Sequence, residues 1–300
     1  MQNRWTYVAL AANILVWGYN WVPLHLLVQQ VPPAMLVAAR VVLGALTLFV
    51  AVVVLRKPLR LPRSPMFAVV GLLQVAGMMG LSTFALLYGD VSRTTILVFT
   101  MPFWATIFSS LILKERITPR RWAAIGIALF GLGFIGLHAS GQSGALLGAA
   151  FAVAAGACWA LGSVLAKRHL SGEDLLNGVF WQQVAGAVPL IVFAIFAHET
   201  LAAPSFTTIG LFVFASVVGT GLGWVLWANV LKGVTASTAS LGSLGIPLVA
   251  AFAALAQLGE RPDSVSMIGL GAIVLALVLS SLPAAPEVKR RVPRDYAVPS

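Results

Sequence analysis

The chain has 300 residues, of which 19 are Lys or Arg and 9 are Asp or Glu, so 9% carry a charge, against about 25% in an ordinary soluble domain. With 59% hydrophobic residues and a mean hydropathy of +0.94, there are too few polar side chains to coat a globule. This excludes a soluble enzyme and leaves an integral helical membrane protein. The net charge of +10 and pI near 10.7 would suit nucleic acid, but cytoplasmic loops of membrane proteins carry the same excess, and nucleic acid is not expected as a partner. The single Cys158 excludes a disulfide framework and a Cys-based zinc site. No metal site or cofactor is expected.

In chain order, ten apolar stretches are long enough to form bilayer-spanning helices, which need about 20 residues. They run over roughly 5–28, 34–55, 66–88, 93–114, 119–138, 144–167, 174–197, 206–231, 236–258 and 264–282. Breakers separate them: Pro32-Pro33, Pro58, Pro62, Pro65, Pro119, Gly141, Gly172, Pro204 and Pro262. Continuous apolar runs argue against a β-barrel, whose strands alternate. The first run, preceded by Arg4, is too long for a cleaved leader and lacks a small-residue cleavage site, so it reads as the first span.

The basic residues orient the chain. With the N-terminus in the cytoplasm, the inner segments hold Arg4, Arg56, Lys57, Arg60, Arg63, Lys114, Arg116, Arg120, Arg121, Lys167, Arg168, Lys232, Lys289, Arg290, Arg291 and Arg294. The outer segments hold only Arg93 and Arg261, and Arg40 lies inside the second span. Sixteen against two is a strong positive-inside signal and predicts both termini in the cytoplasm.

The chain is written twice. Met101-Pro102 through Lys114-Glu115-Arg116 is matched by Ile246-Pro247 through Gly259-Glu260-Arg261, with 13 residues from Pro to Glu in each copy and an offset of 145. Ser92 then falls on Ser237 and Gly126 on Gly271, while Trp17-Gly18 matches Trp159-Ala160 at an offset of 142. Five spans per half is an odd number, so the second copy is expected to be inserted upside down. The expected units are 1–140, the first five-helix repeat, 141–283, the second, and 284–300, a basic cytoplasmic tail.

Two halves of five helices, an early Trp-Gly, a mid-helix Pro in helices 4 and 9 and a Glu-Arg closing each resemble the EamA-type drug/metabolite transporter superfamily. The resemblance covers about residues 5–282. Within it, the chain is similar to the exporters of aromatic and other neutral amino acids (the YddG type). The resemblance implies a basket-shaped all-α bundle, with helices 1, 3, 4, 6, 8 and 9 around a central cavity.

Polar groups inside a membrane are costly and are functional candidates by default. The substrate-binding candidates are Asn13, Trp17 and Asn20 in helix 1; Gln74 and Met78 in helix 3; Thr100 and Trp104 in helix 4; Trp159 and Ser163 in helix 6; Trp224 in helix 8; and Ser243 in helix 9. Asn13, Trp17 and Asn20 share one helical face. For the tryptophans, cavity lining competes with packing between helices. Trp5 and Trp122 fit the interfacial belt instead. Pro102 and Pro247 should kink their helices, either as hinges for alternating access or as static curvature. Arg40 could meet a substrate carboxylate or serve a polar structural role, with Gln182 its counterpart in the second half. Glu115 and Glu260 read as helix-end ion pairs or gates.

All nine acidic residues fall in loops, helix ends or the tail. The membrane-embedded Glu of a cationic-drug antiporter is therefore missing, as is a carboxylate proton relay. The expected activity is export of neutral amino acids and similar metabolites from the cytoplasm of a bacterium through its inner membrane, by a functional monomer. Export of drugs or of another small metabolite such as a nucleotide sugar is the alternative. An intramembrane enzyme would need a His/Asp or metal constellation that the sequence does not offer.

Overall fold

The structure, a computed structural model, describes residues 4–138, 144–170, 172–233, 245–261 and 264–281. The described residues form helices and short connections, with no strand. We number the helical rods α1 (4–28), α2 (Pro33–Val54), α3 (Met66–Tyr88), α4 (Val91–Leu113), α5 (Pro119–His138), α6 (Ala145–His169), α7 (Leu175–Phe196), α8 (206–233), α9 (Gly245–Leu258) and α10 (Ser264–Ser281). Six of them, α2, α3, α4, α6, α7 and α8, are long and apolar enough to cross a membrane. Apart from the start of α9, which lies outside the described residues, the rods begin and end within two residues of the bounds expected from the apolar runs.

Local chemistry sets the ends. Pro33 opens α2, where a missing N–H costs nothing. Asp90 accepts from Arg93 N at 2.7 Å, Asp174 from Asn177 N at 3.1 Å and Ser205 from Thr208 N at 3.1 Å, capping α4, α7 and α8. Lys167, Arg168 and His169 occupy the last turn of α6, where the helix dipole favours cations.

Four rods are irregular inside. The α1 ladder is interrupted at Asn20, three residues before Pro23, which has no N–H for the Tyr19 carbonyl. The α4 ladder opens at Phe99 and Thr100, just before Pro102, which stands in the first turn of the Met101–Leu113 segment. In α3 the stretch Leu72–Gly77, and in α8 the stretch Phe214–Leu222, are wound as π-helix. In addition α7 carries Pro189 in its interior. Residues 234–244 lie outside the described residues, and with them Ser243, whose carbonyl Pro247 would leave without a donor.

The packing of the rods is unchanged when the halves are exchanged. α1 packs on α8 and α9 as α6 packs on α3 and α4; α2 packs on α8 as α7 packs on α3; and α2–α7, α4–α9 and α5–α10 pair with one another. The start of α2 meets the end of α7, where Glu199 accepts from the backbone N–H groups of Ala34 (3.4 Å) and Met35 (3.0 Å). The end of α2 meets the start of α7 through Lys57–Asp174 at 2.7 Å. These two rods therefore run antiparallel. So do α4 and α9, because Glu260 after α9 accepts from Val91 N (3.0 Å), Ser92 N (3.2 Å) and Ser92 Oγ (3.2 Å) at the start of α4.

Small residues let the rods approach. A Cβ on Gly186 of α7 would lie 2.5 Å from Val75 Cβ and 2.7 Å from the Gly71 carbonyl oxygen of α3. Gly186→Ala should therefore destabilise the folded protein by about 1–3 kcal/mol, the usual cost of overpacking, read as a lower midpoint in thermal or SDS unfolding. The same change at Gly126, which faces nothing within 4 Å, should leave the midpoint in place.

Candidate functional site

The sequence-predicted residues separate into a central group and several that lie elsewhere. At the centre α1, α6 and α8 bring four indoles together. Trp159 stacks on Trp224 with centroids 5.4 Å apart, and Trp17 meets Trp224 edge-on at 5.6 Å and Trp159 edge-on at 6.4 Å, with Trp227 tilted against it at 5.5 Å. Leu48 and Val52 of α2, with Val179 and Phe180 of α7, back the cluster. Pairs of this geometry contribute about 0.5–1.5 kcal/mol each beyond their buried area.

Glycines on α8 seat the cluster. A Cβ at Gly223 would collide with the Trp17 Nε1 atom, and one at Gly219 with the Asn20 amide. Close approach lets α1 bond to the α8 backbone: Trp17 Nε1 donates to the Gly219 carbonyl at 3.1 Å and Asn13 Nδ2 to the Gly223 carbonyl at 2.8 Å. Both carbonyls lie in or next to the π stretch, whose altered bonding register marks functional positions in many helices. On the other side, Gln74 Nε2 of α3 donates to Ser163 Oγ at 2.8 Å and to the Trp159 carbonyl at 3.3 Å, while Ser163 Oγ donates to that same carbonyl at 2.8 Å. Asn13, Trp17, Gln74, Trp159, Ser163 and Trp224 thus form one connected group of aromatic faces, amides and a hydroxyl.

The others are placed differently. Trp104 stacks on Phe108 of its own rod at 6.2 Å. Thr100 is buried, and its hydroxyl donates to the Leu97 carbonyl at 2.7 Å, closing the break in α4. Gly156 lies against that break, because a Cβ there would stand 2.5 Å from the Val98 carbonyl oxygen. Gln74 lies within the π stretch and Met78 directly after it, where Met78 packs against the cluster of Val37, Val41, Val75 and Leu190 and against the central core. Ser243 lies outside the described residues. Trp5 and Trp122 are exposed on the bundle surface.

Two features were not expected from the sequence. The pair of π stretches occupies the equivalent rods α3 and α8, and no spacing in the sequence announced either. Gln183 of α7 is fully buried with both polar side-chain atoms unpartnered, and nothing distinguished it from its neighbour Gln182. The carboxylates have a plain role. Among the described residues, every Asp and Glu stands at a rod end or in a connection, and several cap a rod or tie two ends together. Glu115 pairs with Lys167 at 2.8 Å.

Comparison with known proteins decides the family. The model of the EamA-like transporter family matches the chain twice, over residues 4–137 and 146–282. The chain belongs to the EamA-like transporter family. A Bacillus subtilis relative named "Uncharacterized transporter YoaV" is 30% identical over 82% of this chain and 86% of its own length. An Escherichia coli relative, "Uncharacterized inner membrane transporter YedA", is 30% identical over 93% of each chain. A third, the Escherichia coli "Probable amino-acid metabolite efflux pump", is 24% identical over 89% of this chain and 91% of its own. A solved crystal structure superimposes with a TM-score of 0.66 over 92% of this chain and 96% of that chain at 20% identity, which shows a shared fold. This EamA-like chain is a multi-pass membrane transporter for a small molecule.

Proposed function

We propose that the protein exports neutral amino acids, aromatic ones included, and similar metabolites across the bacterial inner membrane, by alternating access and as a monomer. The observation that carries this reading is the cluster of Trp17, Trp159, Trp224 and Trp227 beside the amides of Asn13 and Gln74 and the Ser163 hydroxyl. Aromatic walls with a few polar groups suit a partly apolar solute. Met78, Thr100, Trp104 and Ser243 are proposed to meet the solute at other stages of its passage, and Asn20 to meet it beside the cluster. The relative named as an amino-acid metabolite efflux pump supports the substrate class.

The proposed architecture is ten spans in two inverted halves, 1–140 and 141–283, with both termini and the tail in the cytoplasm. The antiparallel pairing of α2 with α7 and of α4 with α9, which are equivalent rods of the two copies, supports the inversion. Inverted repeats place the substrate site near the midplane between them. The break before Pro102 marks one hinge, and Pro247 is its proposed counterpart. Transport needs no carboxylate relay, because no described Asp or Glu lies within a rod.

Proteoliposomes preloaded with tryptophan, phenylalanine or alanine should release them faster than protein-free vesicles with no imposed proton gradient. Release only under a pH gradient would overturn the uncoupled mechanism. Release of none of the three would overturn the substrate class.

A further inference from the structure

We propose that Arg40 is the seat of a carboxylate group on the transported solute, with Asn20 as the acceptor for an adjoining ammonium, so that the site takes a zwitterionic α-amino acid head group. The inference rests on the transporter reading above and adds the charged end that the tryptophan cluster and its amides lack.

Arg40 lies seven residues into α2 and is only 4% exposed. Its Nε atom is buried without a partner, and its side chain makes no hydrogen bond or ion pair among the described residues. Arg93 and Arg261, by contrast, stand at rod ends. A charge held inside a membrane protein without an opposite charge or acceptor is costly. Such a group is retained where a ligand supplies what the protein withholds.

Its surroundings fit a head group. Arg40 precedes Gly44 by one turn on the same face of α2, and a Cβ at Gly44 would stand 2.6 Å from Thr220 Cγ2 and 3.6 Å from the Ser216 carbonyl oxygen. That places Arg40 along the π stretch of α8. Asn20, at the break in α1, rests on Gly219 of the same stretch, and its Oδ1 is buried and unpartnered. Donors on one flank and an acceptor on the other match a carboxylate and an ammonium. The guanidinium forks onto a carboxylate with two parallel bonds. Two turns further along α2, about 12 Å at 1.5 Å per residue, Leu48 packs with Trp224. The same α2 face therefore runs from the charged head-group position to the aromatic wall.

The test uses the purified full chain in nanodiscs, with intrinsic tryptophan fluorescence and thermal unfolding as readouts, so that it does not depend on transport. The probes are phenylalanine, phenylalaninamide, phenethylamine and hydrocinnamate. The wild type should bind phenylalanine at least tenfold more tightly than phenylalaninamide or phenethylamine, and should also bind hydrocinnamate. Arg40→Met should lose hydrocinnamate and reduce the discrimination to within twofold, while its unfolding temperature rises because an uncompensated buried charge is gone. Arg40→Lys should retain part of the preference. Asn20→Leu should weaken phenylalanine more than hydrocinnamate. A wild type that binds hydrocinnamate but not phenylalanine would remove the amino-acid reading and keep the carboxylate seat. Indifference of the wild type to every carboxylate, or an Arg40→Met variant that unfolds earlier yet keeps the preference, would overturn the proposal.

Discussion

Trp17→Ala is expected to lower transport at least tenfold and to lower stability by about 2–3 kcal/mol, because the indole is partly buried and a fully buried one costs about 3–5 kcal/mol to delete. Trp17 contacts Trp159, Trp224 and Trp227 at 5.5–6.4 Å and anchors α1 to the π stretch of α8 through Gly219. Because the alanine variant loses both shape and anchor, Trp17→Phe separates them. It keeps an aromatic face but gives up one hydrogen bond, about 1 kcal/mol, and should fold nearly as well as the wild type. Its transport should fall between the two. Trp122→Ala, on a side chain 58% exposed, serves as the control and should change neither rate nor stability. Initial rates in proteoliposomes and unfolding midpoints in detergent measure these effects. A Trp17→Ala protein that transports as fast as the wild type would remove the aromatic cluster from the transport path.

The second large effect is expected at Glu260. Its two oxygens accept three bonds from Val91 and Ser92, joining the end of α9 to the first turn of α4, where the helix dipole also favours an anion. Hydrogen bonds to a charged acceptor contribute about 1.5–3 kcal/mol each, and Glu260 is only partly buried, so Glu260→Ala should cost about 2–4 kcal/mol. Hydrogen exchange at Val91 and Ser92 should rise by at least tenfold. Glu260→Gln, which keeps an acceptor oxygen and loses the charge, should cost about half. Glu115→Ala removes only an exposed pair with Lys167, whose side chains are 42% and 65% exposed. Such pairs contribute about 0–1 kcal/mol. Equal losses at the two positions would show that Glu260 is not a clasp. In an alternating-access cycle this clasp must open whenever α4 and α9 separate at that end, so its removal should also alter the rate of transport.

Much of the fold was legible in the sequence. Apolar runs of span length between prolines and glycines gave rod bounds that hold to within two residues wherever both ends are described. The repeated Pro-to-Glu spacing pointed to a chain written twice, and the family model matches it twice, over residues 4–137 and 146–282. The described acidic residues were legible as end groups, because charge is expelled from the interior of a membrane span. The site was legible in part. The i, i+4 spacing put Asn13 and Trp17 on one face, and both reach α8. Trp104 stood as a candidate beside the other tryptophans because it lies away from the interfacial belt, and its ring stacks on Phe108 of its own rod. The i, i+4 spacing of Gln74 and Met78 would put them on one face of a regular helix, whereas α3 is π-wound over Leu72–Gly77. Periodicity assumes regular winding, and the unpaired register of a π turn has no residue signature.

The sequence by itself determined that this is a helical membrane protein, where its rods begin and end and that it is built from two copies. These follow from local costs: burying a charge, breaking a backbone ladder, or leaving an apolar run in water. Only the tertiary structure decided which faces meet. In a membrane the outside of the bundle is as apolar as its inside, so hydrophobicity cannot separate a buried face from one in lipid. Close approach at Gly219 and Gly223, the meeting of four indoles from three rods, and the burial of Arg40 with its Nε unpartnered among the described residues all depend on neighbours distant in the chain.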